Sequence, residues 1–341
     1  MKSGLLLRLV AAGACFGWGA VAAAQAGAAG PSAIVLPGGS GGIGFDDLRF
    51  APSLGLLLVP AGRTGSLDLV DPATRSVTAV GGFHKSEVFA GGHGEGTTSA
   101  DEGNGWLFAT DRDSREIFVV SPRERRIVSS ARLSAGPDYV RFVGPTNEVW
   151  VTEPDAERIE VFRLEGKESV RPVAAGSIAV KGGPESLVVD GKRGRAYTHL
   201  WTGSTVVIDL KSRSITATWP NGCKGARGIA LDGERDLLFV GCAEGKAVVL
   251  DAASGHEVSA AQTGDGVDII DYSAKTHHLF IPGGKSATMA IFDVGKDGKL
   301  SLLTTVPTAM EAHCVAVDAS GIAYVCDPKA GRLLIFSSNA R

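Results

Sequence analysis

A unit of four short β-strand signals recurs along this chain, and that recurrence limits its fold more than any other feature. The clearest copy runs GPESLVVDGKRGRAYTHLWTGSTVVIDLKSRSITATW from Gly183, and the next, KGARGIALDGERDLLFVGCAEGKAVVLDAASGHEVSAA from Lys224, follows it almost element for element. Each copy has a short apolar strand, a polar turn and a second strand ending in small residues. A third strand rich in Val, Ile or Phe and a weaker fourth complete it. Further copies begin near Gly136 (GPDYVRFV), Gly266 (GVDIIDYS) and Glu311 (EAHCVAVD), with looser ones near Gly44 (GFDDLRFA) and Gly94 (GEGTTSAD), making seven. No segment sustains a helical period, and the 46 glycines suit many turns between short strands.

Seven four-stranded units spaced 41 to 49 residues apart predict an all-β, seven-bladed β-propeller, in which each blade buries its faces against its neighbours. The last copy ends near Phe336 with three strands. Ser32-Ala33-Ile34-Val35-Leu36-Pro37-Gly38 resembles fourth strands such as Ser214 to Pro220. Pairing that segment with the last blade closes the ring and removes its open edge.

The amino terminus carries Lys2 and Arg8 before an apolar, alanine-rich stretch from Leu9 to Ala24, a signal-peptide pattern with cleavage expected after Ala24-Gln25-Ala26. The stretch is short, contains Gly13, Gly17 and Gly19, and lacks a basic stop-transfer flank, so a membrane anchor is disfavoured. The expected organisation is a leader at 1–26, a single propeller domain at 27–341, a periplasmic or secreted location and a monomer with no transmembrane segment after cleavage. A formal charge of −3 without basic clusters argues against nucleic acid.

Loss of Cys15 with the leader leaves Cys223, Cys242, Cys314 and Cys326, which permit three pairings in an oxidising compartment. A hairpin turn at Asp318 to Gly321 sets Cys314 opposite Cys326, and Cys223 and Cys242 hold nearly corresponding places in blade five. Disulfides 223–242 and 314–326 are therefore expected. No CxxC or CxxCH motif supports a redox or haem role.

The segment GCKGARGIALDGERDLLFVGCAEGKAVVLDAASGHEV, followed by GDGVDIIDYSAKTHHLFI, resembles the YncE-like, or YVTN-repeat, family of secreted bacterial propellers. The resemblance covers most of the mature chain and is most specific in blades four to seven. It implies a periplasmic seven-bladed propeller with a binding or envelope-associated role. The family tetrapeptide stands here as Phe108-Ala109-Thr110-Asp111, Trp150-Val151-Thr152-Glu153 and Tyr324-Val325-Cys326-Asp327.

Aligning the copies at their first strands puts one residue per blade at an equivalent position: Asp46, Glu95, Asp138, Glu185, Arg227, Asp268 and His313. First strands line the central channel, so these seven form a candidate ligand-binding ring near one mouth. Five are acidic, and a divalent cation or cationic molecule would balance them. A wide, water-filled channel that solvates each charge is the plainer alternative. The loop Gly91 to Thr98 carries His93 and Glu95, metal candidates with His84 upstream, although the chain has no HxH or HExxH spacing. The plainer reading of that loop is a glycine-rich connection. Asp190, Asp232 and Asp318, like Asp71, Asp209, Asp251 and Asp293, sit where turns need a side-chain acceptor.

Together these features predict a non-enzymatic propeller that binds a small ligand, a metal ion or an envelope protein at the channel mouth, with no catalytic residues. The alternative is a propeller lyase or lactone hydrolase with a metal-assisted channel site. It draws on GPTNEVWVTEPD from Gly144, which echoes streptogramin-lyase repeats once, and on His313 as a base beside Glu95 and Glu185.

Overall fold

The computed structural model describes Met1, residues 31–166 and residues 169–337. Apart from Met1, the expected leader and its cleavage site lie outside the described residues. From Pro31 onward the chain builds seven antiparallel sheets of four strands each, six of them in simple sequence order. They occupy residues 49–81, 97–132, 140–179, 188–220, 226–262, 271–307 and 315–337, and are blades 1 to 7. Helix among the described residues is limited to two single 3-10 turns, Gly144–Thr146 and Pro154–Ala156.

Blade 7 supplies three strands of its own. Its fourth is Ser32–Val35, which runs antiparallel to Arg332–Ser337 with Ser32 opposite Ile335 and Ile34 opposite Leu333. Ile34 is buried, whereas Val35 beside it faces solvent, the alternation of an outer strand covered on one face. The amino-terminal strand therefore closes the ring.

Third strands read as unbroken apolar runs because neighbouring blades cover both of their faces. Ile117, Val119 and Val120, and likewise Ala247 to Leu250, are fully buried. Fourth strands such as Ile215–Pro220 and Glu257–Gln262 are mostly exposed or half-buried. Five blades place a β-bulge at the same point between third and fourth strands, for example at Val119/Val120 and Val249/Leu250. Each bulge increases the local twist of the outer strand. The apolar core is divided among the blade interfaces: Phe280, Met289 and Ile291 of blade 6 pack with Val315, Val325 and Leu334 of blade 7.

Six of the seven turn aspartates act as the sequence suggests, whereas Asp293 lies within the strand Thr288–Val294, opposite Ser301. Asp232 accepts the backbone N–H groups of Glu234 and Arg235, Asp318 those of Ser320 and Ile322, and Asp71, Asp190, Asp209 and Asp251 bond likewise. Both expected cysteine pairs are bonded. Cys223 and Cys242 have Cα atoms 5.3 Å apart and Cys314 and Cys326 have theirs 5.6 Å apart.

Candidate functional site

One mouth of the channel gathers most of the expected ring. Asp46, Asp138, Glu185, Arg227 and Asp268 line a cavity of about 290 Å³. Arg227, Asp268 and His313 reach an adjoining cavity of about 510 Å³, and His93 lines both. Glu95 lines neither, and its Oε1 is buried without a hydrogen-bond partner among the described residues. At blade 2 the mouth is instead filled by His93, two residues earlier on the glycine-rich loop. His84 points elsewhere, with its Nε2 3.9 Å from Asp113.

Close backbone packing brings that loop inward. A Cβ at Gly44 would lie 2.5 Å from the Gly92 carbonyl oxygen and 3.2 Å from His93 Cα, and one at Gly96 would lie 2.1 Å from the Gly62 oxygen. Only glycine tolerates such approach. Arg112 clasps the loop by donating to the His93 carbonyl oxygen at 2.5 Å and to the Pro137 carbonyl oxygen at 3.1 Å.

The ring charges are in contact, not spread around a wide pore. Asp46, Asp138 and Glu185 are each less than a tenth exposed. Asp46 lies 2.9 Å from Arg112 and 3.3 Å from His93 Nδ1, and accepts Thr98 Oγ1 at 2.6 Å. Asp138 pairs with the same guanidinium, and Glu185 takes Arg227 at 2.5 Å. Buried ions require such partners. Deeper in, Arg141 of blade 3 grips Asp47 of blade 1 with contacts of 2.5 and 3.0 Å, and Ser99 of blade 2 donates to the same carboxylate.

The network pulls the titrations apart. Burial pushes the Asp46 carboxyl up, but Arg112 and His93 outweigh it and hold the group well below the usual carboxylate range. The charge of Asp46, followed by that of Asp268, holds the His93 imidazole up at about 9. Burial and then the charge of Asp46 push Asp138 well up. Burial, reinforced by Asp268, lifts Glu185 to about 7. The mouth thus combines fixed positive and negative charge with one carboxyl poised near neutrality.

A second set of mouth residues escapes an alignment on first strands. Arg112, Pro154, Trp201, Ala243, Gly284 and Pro328 each follow directly on a second strand, and all line one of the two cavities. Trp201 is 42% exposed and lies beneath the Arg227 guanidinium, 5.1 Å from its ring centre. A sequence signal for this layer exists, namely the residue after the small-residue end of each second strand.

Fold and site together define a seven-bladed β-propeller with a charged, partly aromatic mouth. No family model matches the chain, and no curated protein matches it. Among solved structures it is similar to a chain of the crystal structure of the mitotic checkpoint complex, with a TM-score of 0.74 at 13% identity over 97% of this chain and 98% of that one. It is also similar to Kuenenia stuttgartiensis hydrazine synthase, with a TM-score of 0.71 at 13% identity over 88% of this chain and 97% of that one. A third likeness is to the structure of U3-55K, with a TM-score of 0.70 at 12% identity over 87% and 90% of the two chains. At these identities the likenesses show the fold alone.

Proposed function

We propose that this chain is an exported, non-enzymatic binding propeller of the YncE-like kind that holds a small charged ligand at its channel mouth. One observation carries the reading: four carboxylates from blades 1, 3, 4 and 6 meet two guanidiniums and two imidazoles around two adjoining cavities. Such a surface recognises a molecule bearing both charge signs, because each ligand group can exchange for an existing partner without leaving a buried ion bare. Trp201 adds a flat apolar face. Export is supported by the leader pattern and the two bonded cysteine pairs. No helix among the described residues is long and apolar enough to cross a membrane.

The test is a thermal-shift panel of small carboxylates, amines and amino acids, run in chelator on the untagged protein. The reading expects at least one compound to raise the melting temperature, with the rise lost in Arg227→Met and Glu185→Gln. A flat panel overturns it. The catalytic alternative, a propeller lyase or lactone hydrolase, rests on Glu185 lying near neutrality beside the cavity. It requires lactone or ester substrates to be turned over at a rate that Glu185→Gln removes.

A further inference from the structure

Both imidazoles at the mouth have one nitrogen held from behind. His93 Nδ1 lies 3.3 Å from Asp46 Oδ2, while its Nε2 lies 3.7 Å from Asp268 Oδ2. His313 Nδ1 lies 2.6 Å from the carbonyl oxygen of Glu311. A carbonyl can only accept, so Nδ1 donates there, and Nε2 is the nitrogen through which the ring can bind a metal. That Nε2 lies 3.0 Å from the Phe45 carbonyl oxygen, to which an N–H there would donate, so a metal ion binding Nε2 takes the place of that hydrogen. The two rings are 4.9 Å apart, and one donor atom from each of His93, Asp268 and His313 lies within 4.8 Å of the other two.

This is how protein metal ligands are usually prepared: each imidazole gives its outer nitrogen to a carboxylate or carbonyl, which fixes the tautomer and the aim of the other nitrogen. We propose that His93, Asp268 and His313 form a site for one divalent transition-metal ion of the zinc type, oriented by Asp46 and the Glu311 carbonyl. Two nitrogens and one carboxylate favour zinc, cobalt or nickel over calcium or magnesium, which take all-oxygen shells. Tetrahedral zinc, with bonds of about 2.0 to 2.2 Å, needs donors about 3.4 Å apart, so the side chains close by about an ångström on binding. The backbone sets the spacing: a Cβ at Gly284 would lie 3.2 Å from His313 Cβ, and His313 O accepts the Ile269 N–H at 2.9 Å. Three protein ligands leave a coordination position open toward the cavity of about 510 Å³. The inference deepens the mouth-binding reading and rests on it, giving the site a metal through which an anionic ligand group can be held.

The experiment uses untagged full-length protein stripped with chelator and then titrated with cobalt or zinc alone. Visible absorption follows cobalt, and calorimetry follows zinc. The proposal expects one ion per chain, ligand-field bands of a four- or five-coordinate cobalt site, and no heat with calcium or magnesium. His313→Gln and Asp268→Asn should each weaken zinc at least about tenfold, while His84→Gln leaves it unchanged. Circular dichroism of both variants shows that they are folded. Absent cobalt bands in folded wild-type protein, or unchanged zinc affinity in either ligand variant, overturns the proposal. Because the small-molecule panel is run in chelator, a failed metal site and a failed ligand-binding mouth give different results.

Discussion

His93 Nδ1 lies 3.3 Å from Asp46 Oδ2, so a loop residue ahead of blade 2 meets a carboxylate just ahead of the first strand of blade 1. That contact makes the mouth a shared structure: Asp46 also binds Arg112, whose guanidinium reaches Asp138 of blade 3. Charges on three blades are therefore held in one network, and a change at one blade is felt at its neighbours.

Ring closure depends on Ile34, buried opposite Leu333. Ile34→Asp would place an unpaired carboxylate in the core and unseat the closing strand, with an expected loss of about 3 to 5 kcal/mol. Urea unfolding measures it. A loss under 1 kcal/mol would mean that the amino-terminal strand does not close the ring.

The cysteine pairs bridge sequence separations of 19 and 12 residues. Loops of that size contribute about 3 kcal/mol each by restricting the unfolded chain. Denatured, alkylated protein purified from an oxidising compartment should show no free thiol by intact mass, and reduction should lower the melting temperature. Four alkylated cysteines would contradict the pairing.

Asp68 is fully buried, and among the described residues its Oδ2 has no hydrogen-bond partner and Ser66 alone donates to the carboxyl group. Burial, against that hydrogen bond, lifts its carboxyl from 3.8 to about 6. A carboxyl that holds its proton more tightly when folded favours the folded state below about pH 4 and loses that contribution as pH rises through about 6. Asp68→Asn should therefore stabilise the protein by about 2 to 3 kcal/mol at pH 8 and by little at pH 4. Urea midpoints at the two pH values check this, and equal gains at both would contradict it.

Much of the fold was legible because a propeller repeats its constraints. The period, the turn aspartates and the displaced Ser32 strand are each local signals that recur or match one another. The candidate site was less legible. First-strand alignment found Asp46, Asp138, Glu185, Arg227, Asp268 and His313, because equivalent positions in a ring converge. At blade 2 it pointed to Glu95, because the loop there departs from the repeat, and the placing of His93 depends on glycine backbones of blades 1 and 2 that touch only in three dimensions. Arg112 and Trp201 lie one residue past the second strand, at a position whose side-chain chemistry differs from blade to blade.

Gly44→Ala tests that loop docking, since its Cβ would collide with the Gly92 carbonyl. The expected stability loss is about 1 to 3 kcal/mol, with faster proteolytic nicking within residues 82–96. Unchanged nicking would show that Gly44 does not hold the loop.

A small ligand held at the mouth should survive purification, so untagged protein taken from its own source is weighed intact by native mass spectrometry. A bound mass is expected on the wild-type chain and is expected to be absent from Arg227→Met and Glu185→Gln. A bare chain in every wild-type preparation, or a bound mass that both variants retain, would contradict ligand binding at the mouth.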